Sequence, residues 1–239
     1  MIRVSGKYLF LLLCPVLAGC SSYRVVVQGV EVDRMIASRP ADPEEAGRLA
    51  AFHNDLGVLL EGEGDLEGAL EQYRIARKKD PGLVSAYVNA GNVRFKLGEP
   101  DRAERLYREA LEIDPDNPRA LNNLAWVMVT GNRDLEDAVE LLKRALAADP
   151  ENRYRYLDSL GWARYRRGET EAARSILEEA LDLTPEEETY LRAETHYHLG
   201  LLLHETGESG PAAFHFEESL RLRPDPERER ELEELAGGD

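Results

Sequence analysis

Small residues return through this chain on a near-constant period, and that period restricts the fold more than any other feature. Gly57, Gly91, Ala125, Gly161 and Gly200 are separated by 34, 34, 36 and 39 residues. Twelve or thirteen residues after each stands an alanine: Ala69, Ala103, Ala138, Ala173 and Ala212. Seven further on are Ala76, Ala110, Ala145, Ala180 and Ser219, and five beyond those Pro81, Pro115, Pro150, Pro185 and Pro224. A bulky residue stands shortly before each of these second small sites: Tyr73, Tyr107, Leu142, Leu177 and Phe216. Self-similarity on this scale marks a stack of like units.

Each unit holds two amphipathic stretches with apolar residues at helical spacing, such as His53-Leu56-Leu60 and then Leu66-Leu70-Tyr73. A polar, glycine-containing turn separates them, as in Gly98-Glu99-Pro100 or Gly168-Glu169. The small residues let paired helices approach closely, and the proline ends the second helix because it lacks a donor and clashes with the preceding turn. No unit can bury its apolar face alone, so the units must stack. These positions resemble the tetratricopeptide repeat over about residues 50–226, in five units: 50–83, 84–117, 118–153, 154–192 and 193–226. The resemblance implies an all-α, right-handed solenoid of helical hairpins, which residues 227–239 close as an acidic capping helix and tail. One residue is inserted in the turn before Ala138 and one after Pro150, and five extra residues lie within Glu186 to Arg192. They are expected to alter the pitch locally without breaking the stack.

The amino terminus reads as an address. Arg3 and Lys7 precede an apolar run, Tyr8 to Leu13, which is far short of the roughly 20 residues a membrane-spanning helix needs. Leu17-Ala-Gly-Cys20 resembles the box of bacterial lipoprotein precursors. That resemblance implies removal of residues 1–19 and lipidation of Cys20, with more than one acyl chain and therefore stable anchoring. Ser21 after the cysteine, where an aspartate would signal inner-membrane retention, implies the periplasmic face of the outer membrane in a two-membrane host. Residues 20–49 are expected to be the lipidated end, a tether and the lead-in to the first helix. Alternation in Arg24 to Asp33 permits a short strand, but a lone strand is not stable by itself.

Composition removes several classes of function. With 46 acidic against 30 basic residues the formal charge is -16, which argues against binding nucleic acid or an anionic surface. The only cysteines, Cys14 and Cys20, lie in the first twenty residues, so no disulfide framework, cysteine zinc site or cysteine nucleophile exists downstream. There is no P-loop, nucleophile elbow, zincin helix or dinucleotide fingerprint. Gly62, Gly64 and Gly68 have the wrong spacing for a phosphate loop. His196 and His198, two apart, face opposite ways on a helix, and His196 reads as core. No catalytic residue, metal or cofactor is expected.

What remains is the surface of the stack. With Ala50, Val84, Pro118, Tyr154 and Ala193 as position one, positions 4, 7, 8 and 11 point to the core and positions 2, 5, 9, 12 and 13 point away. In tetratricopeptide domains the second set lines the concave groove. By that resemblance the groove includes Asn92, Phe95 and Lys96 of unit two, and Arg119, Asn122 and Trp126 of unit three. Unit four adds Arg155, Asp158, Trp162, Tyr165 and Arg166, and unit five Tyr197. Val88 and Val129 fall in the same angular set. Both tryptophans occupy position nine of adjacent units, and four basic residues outnumber Asp158 across units two to four. Aromatic and arginine anchors of this kind make interaction hot spots. The alternative is that the tryptophans pack between neighbouring first helices and only edge into the groove. Asn89, Asn92 and Asn123 are common consensus residues of such repeats and read as structural.

The chain is thus expected to be a lipid-anchored scaffold that binds protein partners of the cell envelope. Similar lipoproteins serve pilus and secretin biogenesis, adapt cell-wall hydrolases or act in polysaccharide export. Leu124-Ala-Trp126 and Asp158-Ser-Leu-Gly-Trp162 look like repeats of polysaccharide-export proteins. A glycan- or peptidoglycan-binding accessory subunit is the alternative, because an aromatic groove permits sugar stacking. The oligomeric state is left open.

Overall fold

The structure, a computed structural model, describes residues 42–237 together with three short strands nearer the amino terminus. The chain divides into two units, residues 1–48 and 49–239. In the first, β1 (Phe10–Leu12), β2 (Ser22–Val27) and β3 (Val30–Met35) form an antiparallel sheet in that order. β2 and β3 pair from Ser22 opposite Met35 to Val27 opposite Val30. The expected tether is therefore not one unpaired stretch: its valine-rich halves are each other's partner, and β-branched residues suit a pleated ladder. β1 falls within the stretch expected to be a signal. Cys20, the expected lipidation site, lies outside the described residues.

The second unit is helical, a solenoid of five hairpins. They are α1 (Pro43–Gly62) with α2 (Leu66–Lys79), α3 (Val84–Lys96) with α4 (Pro100–Ile113), α5 (Pro118–Thr130) with α6 (Leu135–Ala148), α7 (Tyr154–Arg166) with α8 (Thr170–Leu183), and α9 (Thr189–Glu205) with α10 (Ser209–Leu222). A last helix, α11 (Pro226–Gly237), follows. Two helices begin earlier than expected. α1 starts at Pro43, not Ala50, because Asp42 caps it, its Oδ1 accepting the Glu44 N–H at 3.2 Å ahead of acids in the first turn. α9 starts at Thr189, so part of the insertion before unit five lengthens that helix. The extra residue after Pro150 falls in a 3-10 turn, Pro150–Asn152.

Turn chemistry explains the hairpins. Gly64, Gly98, Gly168 and Gly207 adopt φ between +72° and +82° at four of the five bends, a conformation that suits glycine. The third bend carries the inserted residue, and there Asn132 and Asp134 take φ of +50° instead. The 34-residue signature is a packing device. A Cβ on Gly57 would lie 2.5 Å from the Tyr73 ring, and one on Gly161 2.6 Å from Leu177 Cγ, so each second-helix knob fills the space its first-helix glycine leaves. Tyr107 meets Gly91 and Phe216 meets Gly200 in the same way. The resulting core runs along the stack and is broadest around α3 to α7, where Leu124, Val127, Met128 and Leu142 are buried.

The two layers of helices differ in spacing. α3 packs directly on α5, α5 on α7, and α7 on α9. Second helices meet their neighbours through long side chains, as where Arg77 of α2 reaches Glu109 of α4 at 3.4 Å. The closer-spaced first-helix layer is the inner side of the curve. Among the described residues no helix is long and apolar enough to cross a membrane.

Candidate functional site

The residues expected to line a groove all stand on first helices, but they are not equally free. Val88 and Val129 are 1% and 0% exposed and belong to the core, so their place in the angular set was misleading. Phe95 and Trp162 are half-buried and pack at the edge of the central core, and Tyr165 packs beside the apolar cluster of the last hairpins.

Aromatic groups of α5, α7 and α9 meet where these helices adjoin, Tyr197 among them with its ring 5.9 Å from that of His198. The imidazole of His198 stacks on Trp162, ring centroids 4.5 Å apart and planes 18° apart. Trp126 approaches the same imidazole at 5.7 Å, and Tyr165 lies 5.0 Å from Trp162. The Nδ1 of His198 sits 2.9 and 3.0 Å from the two oxygens of Asp158. A carboxylate only accepts, so that nitrogen donates. Through that imidazole Trp162 of α7 touches the neighbouring first helix α9, and both tryptophans are half-buried. His198 was missing from the expected groove because position six lies roughly 20° beyond its edge, at 100° per residue. Position six is polar in every unit (Asp55, Asn89, Asn123, Ser159 and His198), and that recurrence was the signal available.

The basic side chains separate into two groups. Lys96 donates to Glu61 at 2.5 Å, and Arg155 to Glu188 at 2.5 Å. Glu61 belongs to unit one and Glu188 to the insertion at the end of unit four, so neither was among the inward positions where the excess of positive charge was counted. Among the described residues Arg119 reaches the amide oxygen of Asn89, at 3.5 Å, and no carboxylate, and the guanidinium of Arg166 lies 6.0 Å from the Trp162 ring. The asparagines form an inter-repeat ladder: Asn89 donates to Asn54 at 3.0 Å, and Asn92 accepts from Asn123 at 2.7 Å and from the Tyr107 hydroxyl at 2.8 Å. Asn122 donates to the Asn123 side chain at 3.1 Å and so continues that ladder.

Tyr197 is covered. The guanidinium of Arg228, from α11, lies 4.3 Å over its ring while pairing with Glu194 at 2.8 and 2.9 Å. Burial, with Glu231 of α11 beside it, pushes the Tyr197 phenol well above its ordinary pKa. Burial and the Glu205 carboxylate do the same to Tyr165. Sequence spacing could not supply this, because α11 takes the place of a sixth first helix without repeating the signature.

Comparison with known proteins agrees with this geometry. Four family models, each described as tetratricopeptide repeat, match residues 45–116, 88–153, 129–197 and 193–226. A human protein O-mannosyl-transferase, TMTC3, is 26% identical over 185 residues, which is 75% of this chain but only 20% of that protein. The chain thus spans about a fifth of the length of that curated relative. Among solved structures, pilF of Pseudomonas aeruginosa has a TM-score of 0.62 at 24% identity, covering 78% of this chain and 80% of its own. PilW, described as a widely conserved type IV pilus biogenesis factor, has a TM-score of 0.65 at 20% identity, covering 73% and 78%. At these identities the likeness is one of fold. From the recurring small sites, the five stacked hairpins and the four matching models together, the chain is a member of the tetratricopeptide repeat family.

Proposed function

We propose that this chain is a lipid-anchored scaffold, held through Cys20 at the periplasmic face of an outer membrane, whose inner helical layer binds a protein partner in an envelope assembly. The observation that carries the reading is the cluster of Trp126, Trp162 and His198, partly open on the inner layer and flanked by Arg119 and Arg166. Aromatic rings held rigid by their neighbours, with arginines beside them, are the make-up of a binding hot spot. The fold likeness to pilF and PilW supports pilus or secretin biogenesis ahead of hydrolase adaptation or polysaccharide export, the other assemblies such lipoproteins serve. No catalytic role is assigned to any residue.

Two experiments test the reading. Feeding cells an alkyne fatty acid should label the wild-type chain and not Cys20→Ala; equal labelling removes the anchor. Purified full chain and the Trp126→Ala/Trp162→Ala variant, used as baits in envelope extract, should differ by one retained protein. Identical capture by the two folded baits moves binding off this face, whereas retention of purified peptidoglycan or polysaccharide without any protein favours the glycan-binding alternative.

A further inference from the structure

The inner layer accounts for most of its own charge. Glu61 is taken by Lys96 and by the Tyr73 hydroxyl, Asp158 by His198, Glu188 by Arg155, and Glu194 by Arg223 and Arg228. Arg119 and Arg166 have no carboxylate partner among the described residues. Arg119 is exposed, and its charge acts to lower the phenols of Tyr73, Tyr107 and Tyr156 on three different helices. The two arginines flank the tryptophans. Arg119 stands seven residues before Trp126 on α5, and Arg166 four residues after Trp162 on α7.

We infer that the groove's partner is an extended peptide segment carrying two acidic side chains, one for Arg119 and one for Arg166, with an apolar side chain between them on the Trp126–Trp162 pair. This rests on the proposal that the inner layer binds protein.

The fold sets the spacing. Position two of α5 and position thirteen of α7 differ by eleven residues along the helix axis, roughly 16 Å at 1.5 Å per residue. Neighbouring axes are about 8–10 Å apart. The diagonal is therefore roughly 19 Å, which an extended chain covers in about six residues at 3.3 Å each. A bidentate arginine–carboxylate pair adds direction as well as energy. The chain's formal charge of -16 disfavours a long polyanion. At physiological ionic strength that field is screened within about 8 Å, so a short segment with two carboxylates feels chiefly the arginines it touches.

The test is to pan a phage library of random twelve-residue peptides against the purified full chain, and against Arg119→Glu/Arg166→Glu. Neither arginine is paired with a carboxylate among the described residues, so this variant should keep its helical content and unfolding midpoint. The wild-type pool should be enriched in Asp or Glu pairs four to seven residues apart around an apolar residue. A synthetic peptide from that pool should bind the variant at least tenfold more weakly, and the variant's own pool should turn basic. Enrichment of neutral or basic peptides by the wild type, or charge reversal without effect on affinity, overturns the acidic assignment while leaving a peptide groove. Failure to enrich any peptide, with retention of purified peptidoglycan, overturns the protein-binding proposal itself.

Discussion

Asp158 of α7 and His198 of α9 stand 40 residues apart in sequence, yet both carboxylate oxygens lie within 3.0 Å of one imidazole nitrogen. The side chains are 13% and 6% exposed. The pair ties the fourth repeat to the fifth and holds the imidazole flat against Trp162. Deleting the acceptor leaves a buried donor unpaired, which costs about 1–3 kcal/mol. Asp158→Ala should therefore lower stability to urea by that amount. Both tryptophans of the chain lie against His198, so indole emission should change with the substitution in the folded state. Unaltered emission and midpoint would show that the pair carries neither the repeat junction nor the ring.

Gly161 tests the packing device. Its missing Cβ is occupied by the side chain of Leu177, 2.6 Å away. Gly161→Val forces α7 and α8 apart, and overpacking of this kind costs about 1–3 kcal/mol. Contacts in a solenoid are mostly between neighbours, so the loss should be confined to the fourth hairpin and those beside it. Hydrogen exchange should quicken in α7 and α8 while α3 and α4 keep their protection. The double variant Gly161→Val/Leu177→Ala should recover part of the loss; no recovery would remove the knob-and-space account.

The repeat register was legible because each recurring position answers one packing demand: Gly57 lies under Tyr73, Gly161 under Leu177, and a proline follows each second helix. Angular spacing also placed Trp126, Trp162 and Tyr165 on the inner layer. It could not name the neighbour that each inner residue would meet. Glu61 on Lys96, Glu188 on Arg155 and Asp158 on His198 join residues 33 to 40 apart, each linking one first helix to the next or to the residue that leads into it. Repeat geometry fixes such partners, and insertions like that before α9 shift them. Val88 and Val129 went astray for a related reason. A period of 100° describes one helix, whereas a first helix is covered on two sides by the repeats before and after it. The cover on Tyr197 was illegible because α11 lacks the glycine and alanine signature.

Arg228 anchors α11. Its guanidinium donates to both oxygens of Glu194 and to Ser219 Oγ at 2.9 Å, and it lies over Tyr197. Apart from Leu232, 8% exposed, the helix buries little apolar surface in its described side chains. Arg228→Ala should release it: amides of residues 226–237 should exchange at near-coil rates, with α3 to α8 unchanged. Slow exchange in the variant would show that Leu232, and not the guanidinium, holds the helix.

The last hairpin should be acid-sensitive through a pair of histidines. His196 of α9 and His215 of α10 share a hydrogen bond between Nδ1 atoms, 2.9 Å apart, which requires one of the two nitrogens to be unprotonated. Burial is the main cause that lowers both pKa values, His196 to about 4 from 6.5, and the charge of His215 lowers His196 further. Arg192 and Arg221 act on His196 in the same direction and Glu218 against it; at His215, Glu178 and Glu218 oppose Arg174. The sign follows from proton counting. Between pH 6.5 and 4 the unfolded chain binds protons at these positions and the folded chain resists them, so stability falls as pH falls through that window. Unfolding of α9 and α10, followed by hydrogen exchange from pH 7 to 4.5, should become easier toward acid. His196→Gln cannot take up the proton, so it should flatten that dependence even where it lowers stability at pH 7. An equally steep dependence in His196→Gln would assign the acid sensitivity to other groups.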